Sequence, residues 1–98
     1  MRRQWTFLTN HAHVLICLAK DAEVTLRQLA EQVGITERAI HRIVSELIEE
    51  GVVRKTRRGR RNYYEIQPDL PLRHPLEQHC AVGQLLRMVT GGRRGRSG

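Results

Sequence analysis

The 98-residue chain is poor in aromatic side chains: it has one Trp, two Tyr and one Phe. With so few rings, any core must be assembled from aliphatic stripes. There are only two cysteines, Cys17 and Cys80, far apart and each within an apolar pattern. They read as buried free thiols of a reducing compartment, with a regulatory disulfide or a reactive thiol as the alternative. No apolar run approaches the roughly 20 residues that cross a bilayer. Stretch 8–19 is interrupted by Asn10, His11 and His13, which makes it a poor signal-peptide core. These absences give the expectation of a cytoplasmic protein with no membrane contact. A glycine-rich phosphate loop, a nucleophile paired with a base, and paired carboxylates in an apolar frame are also missing, so no enzymatic chemistry is expected.

The chain does have charge, and it is unevenly placed. The net charge is +7. Residues 1–50 carry six basic and seven acidic side chains, a balance of −1, whereas residues 51–98 carry eleven basic and three acidic, a balance of +8. Most of the excess lies between Arg54 and Arg61 and at the C-terminus. A clustered cationic excess is the footprint of a polyanionic partner.

Apolar periodicity and capping signals organise the chain. Thr9 or Asn10 can cap a first helix ending near Lys20, with Val14, Leu15, Leu18 and Ala19 inward. Thr25 and Gln28 have capping-box spacing, and Val24 and Leu29 sit where a hydrophobic staple closes. The helix they start buries Leu26, Leu29, Ala30 and Val33. Gly34 is the left-handed stop, Ile35 tucks under the turn, and Thr36 caps a third helix with Glu37 in its first turn. That helix repeats the apolar rhythm at Ile40, Ile43, Val44, Leu47 and Ile48 until Gly51 ends it.

Two short β-prone runs follow, 52–57 and 62–66, joined across Gly59, which supplies the positive φ of a tight reversal. Val53, Tyr64 and Ile66 are the inward residues, and residues 24–25 can add a short third strand. Residues 68–74 form a proline-punctuated connector. Pro75 suits the first turn of a last helix over 75–90, whose apolar stripe is Leu76, Val82, Leu85, Leu86 and Val89. Residues 91–98, glycine- and arginine-rich, read as a disordered basic tail.

In this order of elements the chain resembles the winged helix-turn-helix regulators of bacteria and archaea, particularly the MarR-like and ArsR-like groups. The resemblance spans about residues 8–68 and is most specific over LRQLAEQVGITERAIHRIVSELIEEGVVRKTRRGRRNYYEI. It implies a mainly α fold with a small β-hairpin wing (α+β), in which a three-helix core occupies residues 1–67 and a C-terminal helix follows. It further implies sequence-specific binding of double-stranded DNA by a dimeric transcription regulator. The recognition helix, 36–50, would present Thr36, Glu37, Arg38, His41, Arg42 and Ser45 to the major groove. Arg38 and Arg42, one turn apart, can each offer a fork to guanine, while Glu46, Glu49 and Glu50 mark the end that DNA repels. The wing, 52–66, would place Arg54, Lys55, Arg57, Arg58, Arg60 and Arg61 on the backbone and minor groove, with Arg58, Arg60 and Arg61 at its tip. Protection of a sheet edge needs one or two charges, fewer than these six.

The last helix is expected to dimerise through Leu76, Val82, Leu85, Leu86 and Val89, or else to pack back on its own domain. No metal or cofactor is expected. The paired cysteines of metal-sensing ArsR-like recognition helices are absent, and His79 and Cys80 on one helix would point about 100° apart. A small-molecule effector is left open. The competing readings are a protein-interaction module, an RNA-binding module, and a metal- or ligand-responsive sensor.

Overall fold

The computed structural model describes residues 5–91. Its elements run α1 (Asn10–Lys20), α2 (Leu26–Val33), α3 (Glu37–Glu49), β1 (Val53–Arg58), β2 (Arg61–Ile66) and α4 (Val82–Thr90). Local chemistry sets most of these boundaries. Thr9 caps α1 by accepting from the Ala12 N–H at 3.3 Å. At α2 the capping box is closed in both directions: Gln28 N–H donates to Thr25 Oγ1 at 3.1 Å, and Thr25 N–H donates to Gln28 Oε1 at 2.9 Å. Gly34, at φ +88°, ends α2 in the left-handed conformation, and Thr36 then accepts from Ala39 N–H at 3.0 Å to open α3. The second and third helices are therefore fixed relative to each other by a turn whose polar backbone groups are satisfied on both sides.

The core is aliphatic, with one buried ring. Val14, Leu15 and Leu18 of α1 meet Val24, Leu29, and the α3 stripe Ile40, Ile43, Val44 and Leu47. Val52, Val53 and Tyr64 close it from the hairpin, and Val82 and Leu86 from α4. Each fully buried aliphatic side chain contributes roughly 1.5–3 kcal/mol relative to exposure. In α1, Ala12 is buried and Ala19 is exposed, the reverse of the expected placement of Ala19. Burial pushes the Tyr64 phenol above its ordinary pKa, an effect partly offset by its hydrogen bond to Asn62.

The hairpin is antiparallel, in a register running from Val53 opposite Ile66 to Arg58 opposite Arg61. Only Gly59 and Arg60 lie between the strands, and Gly59 has φ +62°. No third strand forms at 24–25, where Thr25 is instead the cap of α2; the hairpin is tied to the preceding turn by Tyr64 N–H donating to the Ala22 carbonyl at 2.9 Å. The sheet of the described residues has two strands.

The C-terminal third departs furthest from expectation. The last helix begins at Val82 instead of Pro75. Residues 74–80 are turns, with Glu77 N–H bonded to His74 O and Cys80 N–H to Glu77 O, both at 2.8 Å. The segment folds back because Leu72 N–H takes the Cys80 carbonyl and Val82 N–H takes the Leu70 carbonyl, both at 2.8 Å, around an isolated bridge between Pro71 and Ala81. Gln84 Oε1 accepts from Ala81 N–H at 2.7 Å and starts the helix there. One residue into the helix, Gly83 N–H donates to the Pro68 carbonyl at 2.9 Å. A Cβ at position 83 would lie 2.9 Å from Pro68 Cβ and 3.1 Å from its carbonyl oxygen, so the position admits only glycine without a shift. Gly91, at φ +83°, ends α4, and the rest of the expected tail lies outside the described residues. Among the described residues, no helix is long and apolar enough to cross a membrane.

Candidate nucleic-acid interface

With one stripe of α3 committed to the core, its opposite face is determined. Glu37, Arg38, His41 and Arg42 are exposed, and Ser45 is half-buried. Thr36, Arg38, Ala39, His41 and Arg42 line an open groove of about 420 Å³ at the N-terminal end of the helix. The Thr36 hydroxyl already accepts the capping bond, so its acceptor capacity is partly used. Among the described residues Arg38 and Arg42 form no ion pair with a carboxylate, and their guanidinium groups are free for an external acceptor.

The acidic end of α3 is tied down. His11 Nε2 of α1 lies 2.7 Å from Glu46 Oε1, and Arg73 Nη2 of the connector lies 3.2 Å from Glu50 Oε1. Two of the three carboxylates at this end are thus partly screened by contacts that the periodicity of α3 could not reveal.

The wing has two chemically distinct faces. Strand alternation and register put Val53, Lys55 and Arg57 with Ile66, Tyr64 and Asn62 on the face that begins in the core. Arg54, Thr56 and Arg58, with Glu65, Tyr63 and Arg61, form the outer face. The six cationic side chains of the wing are all exposed, but they are not equivalent. Arg54 Nη1 is 3.9 Å from Glu65 Oε1, an exposed contact of little energetic weight. Arg57 is folded onto the turn, with Nε donating to the Gly59 carbonyl at 3.2 Å and Nη1 to Asn62 Oδ1 at 3.5 Å. The Arg58 guanidinium carbon lies 3.6 Å from the centroid of the Tyr63 ring. Lys55, Arg60 and Arg61 form no ion pair among the described residues. Sequence reading passed over Tyr63 and Asn62. The signal that identifies them is the two-residue reversal, which sets the register and hence the neighbours on each face.

The apolar stripe expected to dimerise is divided by the fold. Val82 and Leu86 are 5% and 8% exposed and belong to the chain's own core, packed with α1. Leu85 is half-buried. Leu76, displaced into the turns, is 80% exposed, and Val89 is 40% exposed beside an exposed Met88. Trp5 and Phe7 form an additional exposed apolar pair ahead of α1, their rings edge to face at 4.9 Å. Both thiols are free and half-buried, less enclosed than expected. Burial pushes the Cys17 thiol above its ordinary pKa, with Lys20 pulling the other way. His79 and Cys80 lie in turns instead of on a helix, and among the described residues no three His, Cys, Asp or Glu side chains gather as a metal site.

A family model described as winged helix-turn-helix DNA-binding matches residues 9–54, which covers α1 to α3 and the start of β1. No curated protein matches the chain. Among solved structures, ZitR of Lactococcus lactis, a zinc-responsive MarR family member, superposes with a TM-score of 0.51 at 20% identity, covering 67% of this chain and 47% of that one. A point variant of ZitR gives a TM-score of 0.58 at 16% identity, over 93% of this chain and 56% of that one. PcaV of Streptomyces coelicolor, a transcriptional regulator solved with its natural ligand, gives 0.55 at 22% identity, over 92% and 65%. The chain spans about half to two thirds of the length of these structures. At such identities the likeness establishes a shared fold: three helices followed by a wing.

Proposed function

We propose that this chain, whose fold is a winged helix-turn-helix, acts as a sequence-specific regulator bound to duplex DNA, as its likeness to MarR family structures suggests. The observation that carries the reading is the face of α3. Arg38, His41 and Arg42 stand together, exposed, on a helix whose other side is locked into the core, with a six-cation hairpin immediately after it. The N-terminal half of α3 enters the major groove, where Arg38 and Arg42 present bidentate donors to guanine edges. Thr36, Glu37 and Ser45 flank these contacts. The wing lies on the backbone and adjacent minor groove, with Arg54, Lys55, Arg57, Arg58, Arg60 and Arg61 supplying positive charge.

A homodimer completes the reading, with a second copy covering Leu76, Leu85, Met88 and Val89 at the C-terminal end. The exposure of Leu76, Met88 and Val89, with half-buried Leu85 between them and a helix already seated on its own domain, supports this arrangement. Val82 and Leu86 serve the core of each protomer.

Selection of bound duplexes from a random pool, followed by salt titration, tests this function. The expected result is enrichment of an inverted repeat, which reports specificity and two-fold symmetry together. If each protomer neutralises roughly four phosphates, log K falls with log salt at a slope near −3.6 per protomer. Salt-independent affinity, or selection of structured RNA over duplex DNA, would overturn it, because the A-form major groove is too deep and narrow for α3.

A further inference from the structure

We propose that Tyr63 is a positioning residue of the wing, holding the Arg58 guanidinium as a pre-set contact for a backbone phosphate of duplex DNA. The inference rests on the DNA-binding reading above and deepens it at one site. The two-residue reversal pairs Thr56 with Tyr63 and Arg58 with Arg61, so Arg58, Tyr63 and Arg61 share the outer face. Directly opposed like charges repel across a strand pair. Arg58 turns diagonally away from Arg61 and lies over the Tyr63 ring, 3.6 Å from its centroid. The negative face of the ring attracts the cation, while the N–H donors in the plane of the guanidinium remain available beyond the ring edge.

The rest of the tip supports this arrangement. Arg57 braces the turn through Gly59 O and Asn62 Oδ1, so the backbone carrying Arg58 is itself held. Arg60 and Arg61 remain without a carboxylate partner among the described residues. The four arginines at the tip thus divide into one brace, one side chain held against a ring, and two free cations. A long side chain that is already held loses less freedom when it meets its partner. Its contribution to affinity therefore depends on the ring, although the ring carries no charge.

The test is a set of binding isotherms of the full chain on duplex DNA over a range of salt, with Tm measured alongside. Tyr63→Leu is expected to weaken binding about two- to fivefold, the fold-change of an exposed cation–π contact. It should leave the slope of log K against log salt unchanged, because no cation is lost. Tyr63→Phe should bind like the wild type. Arg58→Ala should weaken binding and make the slope shallower by about 0.9. Adding Tyr63→Leu to Arg58→Ala should cost nothing more. Wild-type affinity in Tyr63→Leu would overturn the inference. So would losses that add in the double variant, the mark of a merely structural ring, especially alongside a lowered Tm. If the wild-type chain itself shows no salt-dependent duplex binding, the DNA reading fails and the inference fails with it.

Discussion

The exposed face of α3 and the wing are both cationic, yet they hold their charge in different ways. Arg38 and Arg42 project from a helix fixed on its far side by Ile40, Ile43, Val44 and Leu47. Their position comes from the core, and their side chains are free. The wing has little core beneath it beyond Val53, Tyr64 and the half-buried Ile66, and its strands extend into solvent. Order at its tip comes from the charged side chains themselves, through the Arg57 brace and the Arg58–Tyr63 contact. Discrimination between bases depends on a well-placed fork, which a packed helix provides. Attraction to a phosphate backbone tolerates a looser mounting, and a hairpin that orders its own cations is sufficient.

The strongest way to break this comparison is to remove the seat of α3. Ile40→Ala should cost about 2–5 kcal/mol of stability by emptying a fully buried site. Chemical denaturation should record a lower midpoint, with loss of specific binding at temperatures where the wild type is folded. Second in size, the triple change of Arg58, Arg60 and Arg61 to Ala should weaken duplex binding by about 3 kcal/mol and flatten the salt slope by about 2.7. Its Tm should hold or rise, since one pair of opposed cations has gone. An unchanged slope would mean that the tip does not meet phosphate.

Arg42→Ala sharpens the contrast from the other side. It should cost about 1–3 kcal/mol on the selected site and far less on random duplex, measured by competition. An equal loss on both would make α3 another source of unspecific attraction. The smallest effect is expected from Thr36→Ala, which removes the α3 cap and should lower stability by about 1 kcal/mol in a thermal or denaturant melt.

The parts legible in the sequence were those decided by near neighbours. Thr25 with Gln28, Gly34, Thr36 and Gly59 each act over three residues or fewer, and each behaves in the structure as its chemistry requires. The exposed face of α3 followed from them, because an apolar stripe on the helix defines its opposite face. The C-terminal region was read less well for the converse reason. Pro75 and the stripe from Leu76 suggested a helix, but pairing of residues 70–72 with 80–82 across the intervening turns took their backbone groups first. Periodicity does not report a pairing between segments ten residues apart. The division of labour among the wing arginines lay between these cases: it required only the register, but register applied to side chains and not merely to strands.

The bare backbone of Gly83 against Pro68 has a consequence for how movement travels through the molecule. No side chain intervenes there to yield, so a displacement of α4 is delivered directly to Pro68. The next residue back, Gln67, donates its N–H to the Val52 carbonyl, where both strands of the hairpin are rooted. Gly83, Pro68, Gln67 and Val52 thus form one run of direct backbone contacts from the outermost helix to the root of the wing. Val52 N–H in turn donates to the Leu47 carbonyl at 2.9 Å, so the same run of contacts joins α4 and the wing to the C-terminal half of α3, at the end opposite Arg38.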